Sequence, residues 1–183
     1  NCYTFYHLLN IKFISLTLKF IMNIQIREAK KDDMKYVIEL ITELAVFEKE
    51  PNAVVISSDD LINDGFGNNP LFSCFVALVN NKISGMCLGY PRYSTWKGPT
   101  MHLEDLIVTQ SMRGKGIGFA LFSHFIKFSY LKNVRRIEWA VLDWNVEAIN
   151  FYKKNGAYVS KEWQIAQMNE LAINNFISKN EDI

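Results

Sequence analysis

The run Arg113-Gly114-Lys115-Gly116-Ile117-Gly118 carries the most specific chemistry in this chain. Three glycines in six positions let the main chain turn tightly and approach a ligand without Cβ interference, while Arg113 and Lys115 add positive charge. The apolar Leu106, Ile107 and Val108 precede the run, and Phe119, Leu121, Phe122, Phe125 and Ile126 follow it at helical spacing. It therefore falls between a strand and a helix, where backbone N–H groups and the positive end of the helix dipole converge into an anion cradle suited to phosphate. The spacing is not GxxxxGK[ST], and the last glycine comes one residue early for GxGxxG, so neither nucleotide fingerprint applies. The same glycines would also serve a plain tight turn.

A second feature is the strand-like Met101-His102-Leu103-Glu104-Asp105-Leu106-Ile107-Val108, with two carboxylates at its centre. Unpaired buried charge is costly, so Glu104 and Asp105 should face a cleft, a partner or water. Strand alternation sends neighbours to opposite faces, and the two acids are expected not to share a role. His7, His102 and His124 are far apart, and Cys2, Cys74 and Cys87 have no CxxC spacing; no metal is expected.

The elements that must position these groups alternate along the chain. Ile24, Ile26 and Ala29 suggest a first strand; Asp32 can cap a helix through Met34, Val37, Ile38, Ile41, Leu44 and Ala45 that ends near Pro51. A shorter helix is expected after Ser58, stopped by Asp64-Gly65-Phe66-Gly67. Phe72 to Val79 and Ile83 to Tyr90 flank Asn80-Asn81, a two-residue hairpin turn. In its simplest register Val79 pairs with Lys82 and Cys74 lies opposite Cys87, where reduced thiols are favoured over a cross-strand disulfide. Strands are expected at Arg136 to Leu142 and Tyr158 to Met168, with a helix from Asn145 to Asn155 stopped by Gly156. The pattern is mixed α/β.

With 183 residues, 49% hydrophobic and 21% charged, the chain suits one packed domain, which excludes wholesale disorder. A formal charge of +1 gives no global attraction to nucleic acid or an anionic membrane, so neither is an expected partner. The cysteine content points to a cytoplasmic, reducing home. Residues 1–21 are aromatic and Ile/Leu-rich but are interrupted by Lys12 and Lys19, too short an apolar run for a span of about 20 residues. They are read as an upstream extension or non-native segment, with an added strand or helix as the alternative, and 22–183 as a single domain.

The acidic strand, Arg113-x-x-Gly116-x-Gly118, and Asn145-x-x-Ala148-x-x-Phe151-Tyr152-x-x-x-Gly156-Ala157 together resemble the GNAT superfamily of acyl-CoA-dependent N-acyltransferases over roughly residues 24 to 168. Glu43 to Glu48, Asp64 to Gly67, Trp96-Lys97-Gly98, Leu103-Glu104-Asp105 and Ile149 to Lys153 are similar to its diamine branch, the spermidine/spermine and thialysine N-acetyltransferases. The resemblance implies a mostly antiparallel sheet flanked by helices, with a bulged, splayed strand pair that binds acyl-CoA. It implies acetyl-CoA as co-substrate, its pyrophosphate on residues 113–118 near Asn145 and its pantetheine arm along Leu106, Ile107 and Val108. It further implies Tyr152 as general acid toward the leaving thiolate, Glu104 as the group that deprotonates the amine, and Glu48, Trp96, Glu104 and Asp105 around a small amine acceptor. The branch also implies a homodimer. Ser94-Thr95 before Trp96 departs from the spermidine/spermine pattern, which has an acidic residue there, and this points to a shorter or less charged acceptor. Two other readings remain: acetylation of a protein N-terminus or lysine, and an acyl-CoA-binding module without catalysis.

Overall fold

The computed structural model describes residues 23–180, so the expectations for residues 1–21, Cys2 and His7 lie outside the described residues. The chain divides into two compact units, one ending at Ala140 and one beginning at Val141.

The first unit is built on a five-stranded sheet: β1 (Ile24–Glu28), β2 (Ser73–Val79), β3 (Lys82–Ser94), β4 (Gly98–Val108) and β5 (Ile137–Glu138). The strands lie in chain order, each antiparallel to the next except β4 and β5, which are parallel. Helix α1 (Met34–Phe47) and helix α2 (Ser58–Phe66) cover one face, where Met34, Val37, Leu40 and Leu61 pack with Cys74, Val76, Met86, Leu88 and Ile107. Helix α3 (Ile117–Leu131) covers the other, with the Phe75 and Phe128 rings 5.0 Å apart and the Cys87 thiol directed at the Leu121 carbonyl. Gly89 belongs to that second face because a Cβ there would lie 2.4 Å from the Phe125 ring.

Asn80 and Asn81 both adopt positive φ, as the hairpin turn requires. Val79 faces Lys82 as expected, but Ser84 bulges out of β3, and the pairs beyond it become Ala77↔Gly85, Phe75↔Cys87 and Cys74↔Leu88. A one-residue slip moves a side chain to the other face. Cys74 therefore points toward α1 and Cys87 toward α3, which corrects the expected Cys74–Cys87 opposition and leaves no disulfide geometry. Both thiols are free and buried, and burial pushes Cys74 up to about 12 and Cys87 higher still.

Two helix starts also differ. Asp33, not Asp32, organises the entry to α1: it accepts the Lys30 N–H at 2.7 Å and pairs with Arg27 through both oxygens. Ser57, not Ser58, caps α2 in a reciprocal arrangement with Asp60.

The second unit holds α4 (Val146–Lys154) and α5 (Glu170–Lys179). The strand expected at Tyr158 to Met168 is absent: the segment has no regular structure, and Tyr158, Trp163, Ile165 and Met168 are exposed. A strand exists only through pairing, and among the described residues the second unit contains no strand. The expected Arg136 to Leu142 strand shrinks to Ile137–Glu138, paired with Met101 and His102 just before the point where β4 bulges and its ladder is disrupted.

Candidate functional site

That bulge organises the site. Leu88 faces Asp105 and Gly89 faces Leu103, so Glu104 is the extra residue. His102, opposite Tyr90, and Asp105, opposite Leu88, consequently project to the same face, and Glu104 turns there too, accepting a 3.0 Å hydrogen bond from Tyr90 Oη. The expected separation of Glu104 from Asp105 onto opposite faces is thus overturned, because the extra residue cancels the alternation. Glu48, just past the end of α1, joins them: burial, then the charges of Glu104 and Glu48, raise Asp105 to about 6. Burial raises Glu48 as well. Three carboxylates gathered in this way repel one another and attract an ammonium group.

Charging Asp105 also costs stability. Its native pKa lies above the unfolded value of 3.8, so the native state holds the proton more tightly and stability falls as pH rises from about 4 to about 6. Asp105→Asn is expected to raise unfolding stability near pH 8 by about 1–3 kcal/mol, with the gain vanishing below about pH 4. Urea midpoints at the two pH values check this; equal midpoints near pH 8 would contradict it.

Beyond the bulge, β4 leaves one edge open. The Thr109 N–H donates to the Ser84 carbonyl across the β3–β4 ladder at 3.0 Å, so by the two-residue period the N–H groups of Ile107 and Asp105 also face β3. Those of Leu106 and Val108 face the opposite edge, along which β5 does not extend. The chain then passes into the glycine turn. Gly114 and Gly116 adopt φ of +73° and +83°, conformations that L side chains rarely take, and no heavy atom lies within 4 Å of a Cβ built at either. Gly116 is the N-cap of α3, whose first N–H groups, from Ile117 and Gly118 onward, have no acceptor within the helix. The turn and open edge therefore suit an anion followed by an extended chain that carries hydrogen-bonding groups. Arg113 stacks on Phe47 and donates from Nε to the Val108 carbonyl at 3.0 Å, while Lys115 Nζ reaches the Ser111 carbonyl, so both cations are tied to the turn.

The other expected site residues are Trp96 on the first unit and Asn145 and Tyr152 on the second. Trp96 is 79% exposed at the tip of the β3–β4 hairpin, and the extended run from Gly98 to Glu104 sets it roughly 20 Å from the carboxylates. Asn145 caps α4, its Oδ1 accepting the Ala148 N–H at 3.2 Å. Tyr152 is buried on α4, its ring 5.4 Å from that of Phe151. Asn145 and Tyr152 belong to the second unit.

Sequence reading missed Tyr90, Arg92, His102 and Glu43. The first three flank the bulge, and His102 was detectable as the residue two before Glu104 on a strand. Glu43 accepts the Gln110 N–H at 2.7 Å across 67 residues and so braces the entry to the glycine turn; no local pattern reveals that contact.

Comparison with known proteins places the chain in a family. The model of the acetyltransferase (GNAT) family matches residues 34–157. Mouse thialysine N-epsilon-acetyltransferase is 40% identical over 141 residues, 73% of this chain and 83% of that protein. Human spermidine/spermine N(1)-acetyltransferase-like protein 1 is 34% identical over 155 residues, 79% of this chain and 22% of that protein. Among solved structures, an integron cassette protein from the mobile metagenome of V. cholerae superposes with a TM-score of 0.70 at 25% identity, covering 85% of this chain and 98% of that one.

Proposed function

The chain belongs to the acetyltransferase (GNAT) family, and from that premise we propose that it transfers an acetyl group from acetyl-CoA to a primary amine of a small diamine, polyamine or lysine-like acceptor. The observation that carries this reading is the Glu104 bulge, which gathers Glu48, Glu104 and Asp105 beside the open edge of β4. The mouse relative, whose name specifies thialysine, supports a lysine-like acceptor. We read residues 22–183 as one acetyltransferase domain.

Acetyl-CoA, when bound, supplies an acyl thioester whose carbonyl accepts an amine and whose thiol leaves. The N–H groups of Leu106 and Val108 would hold its pantetheine arm, with Ile107 between them. The main chain of Gly114, Gly116, Ile117 and Gly118, with the charges of Arg113 and Lys115, would hold its pyrophosphate, and Asn145 is kept as a further cofactor-binding residue. The acceptor arrives as ammonium, with an ordinary pKa near 10.4, and Glu104 takes its proton. Glu48 and Asp105 draw in the second positive group of the acceptor. Tyr152 would supply a phenolic proton to the leaving sulfur.

An anion cradle at the glycine turn predicts a selective loss. Gly116→Val forces a β-branched residue into left-handed backbone and is expected to weaken acetyl-CoA binding at least tenfold by calorimetry, with a stability cost of about 1–2 kcal/mol. Unchanged binding would contradict it.

Homodimerisation and a cytoplasmic location belong to the same reading. Exposed Tyr93 and Trp96 at the hairpin tip give a second copy an apolar surface to cover, and two buried free thiols suit a reducing compartment. The function is tested with an acceptor panel of thialysine, short diamines, spermidine and an unmodified peptide, with products identified by mass spectrometry. Acetylation of the small diamines and thialysine is expected; acetylation of the peptide alone would replace this reading with a protein acetyltransferase, and no product at all with a binding module.

A further inference from the structure

Both described contacts of the Glu104 carboxylate fall on one oxygen. Tyr90 Oη donates to Oε2 at 3.0 Å, and His102 Nε2 lies 3.5 Å from the same atom. Oε1 has no hydrogen-bond partner among the described residues. The tautomer of His102 follows from its other nitrogen, since Arg92 Nη1 is 3.4 Å from Nδ1 and a guanidinium can only donate. Nδ1 is therefore the acceptor, and the ring hydrogen sits on Nε2, facing Glu104.

The rest of the charge around His102 holds this arrangement. Arg92 is fixed by Glu138 Oε1 at 2.8 Å, and Glu138 by Arg136 Nε at 2.7 Å. Tyr90 is the cross-strand partner of His102, with ring centroids 5.2 Å apart. The groups facing the imidazole are thus Glu104 on its own strand, Tyr90 and Arg92 on β3, and Glu138 on β5. Burial lowers the His102 pKa, with Arg92 acting in the same direction and Glu104 and Glu138 against it, which favours the neutral ring.

We infer that His102, locked as its Nε2–H tautomer by Arg92, acts with Tyr90 as a positioning residue that clamps Oε2 of Glu104 and leaves Oε1 to receive the acceptor's proton. This inference rests on the reading of Glu104 as the base. In the step it serves, an N–H bond of the substrate ammonium breaks with its electron pair left on nitrogen, and an O–H bond forms at Oε1. Neither His102 nor Tyr90 gains or loses a proton.

The test is a mutant cycle with thialysine as acceptor, reading kcat and both KM values for His102→Phe, His102→Gln, Glu104→Gln and His102→Phe/Glu104→Gln. His102→Phe is expected to lower kcat about tenfold with the acetyl-CoA KM within about twofold of the parent. His102→Gln, whose side-chain amide can still donate, should recover to within about threefold of the parent. In the Glu104→Gln background, His102→Phe should cost less than about twofold, because the group it positions is gone. An equal loss from His102→Phe in both backgrounds, or His102→Gln no better than His102→Phe, would overturn the clamp while leaving Glu104 as base. Parental turnover by Glu104→Gln alone would overturn the base reading and the clamp with it.

Discussion

Tyr152→Phe is expected to lower kcat roughly 10²–10³-fold while acetyl-CoA binding stays within about twofold of the parent. The thiolate of coenzyme A leaves poorly without a proton, and a phenol with an ordinary pKa near 10 can supply one at hydrogen-bond distance. Phenylalanine keeps the ring, so the packing of this buried residue beside Phe151 is preserved and only the hydroxyl is lost. Thiol release under saturating acceptor measures kcat, and calorimetry measures binding. Undiminished turnover would remove Tyr152 from the chemistry; a parallel loss of binding would make it structural.

Glu104→Gln is expected to lower kcat/KM for the amine roughly 10²–10³-fold near pH 7, with a distinctive pH response. Without its base, the enzyme must use amine already neutral in solution. For a group with pKa about 10.4 that fraction grows about tenfold for each pH step of one below the pKa. The variant should therefore recover steadily as pH rises, approaching the parent near pH 10. Asp105→Asn is expected to behave differently, raising the KM of a diamine more than it lowers kcat, because its carboxylate attracts the acceptor and does not take its proton. Glutamine at position 104 with parental activity across this pH range would contradict the assignment.

The architecture was legible where local chemistry dictates structure. Asn80-Asn81 announced the hairpin, glycines at 114, 116 and 118 the turn before α3, and the spacing of Met34, Val37, Ile41 and Leu44 the helix above the sheet. The bulge in β4 was implied by the family resemblance alone and the one in β3 by nothing, since neither Ser84 nor Glu104 has a residue type that demands one, and each inverts side-chain facing in the rest of its strand. That inversion separated Cys74 from Cys87 and joined Glu104 to Asp105. The segment Tyr158 to Met168 misled because its β-prone composition says nothing about whether a strand edge is available to it. Trp96 was grouped with the carboxylates by sequence likeness, whereas the extended length of β4 holds it at the far end of the hairpin.

Acetyl-CoA is expected to lie along the open edge of β4 and in the turn after it, and every catalytic role assigned above depends on that placement. Residue-resolved amide hydrogen exchange, with and without acetyl-CoA, tests it directly. Slowed exchange is expected at Leu106, Val108, Gly116, Ile117 and Gly118, with little change at Ile107, whose N–H already faces β3. Saturating acetyl-CoA with exchange at Leu106, Val108 and the glycine turn unaltered would contradict that placement.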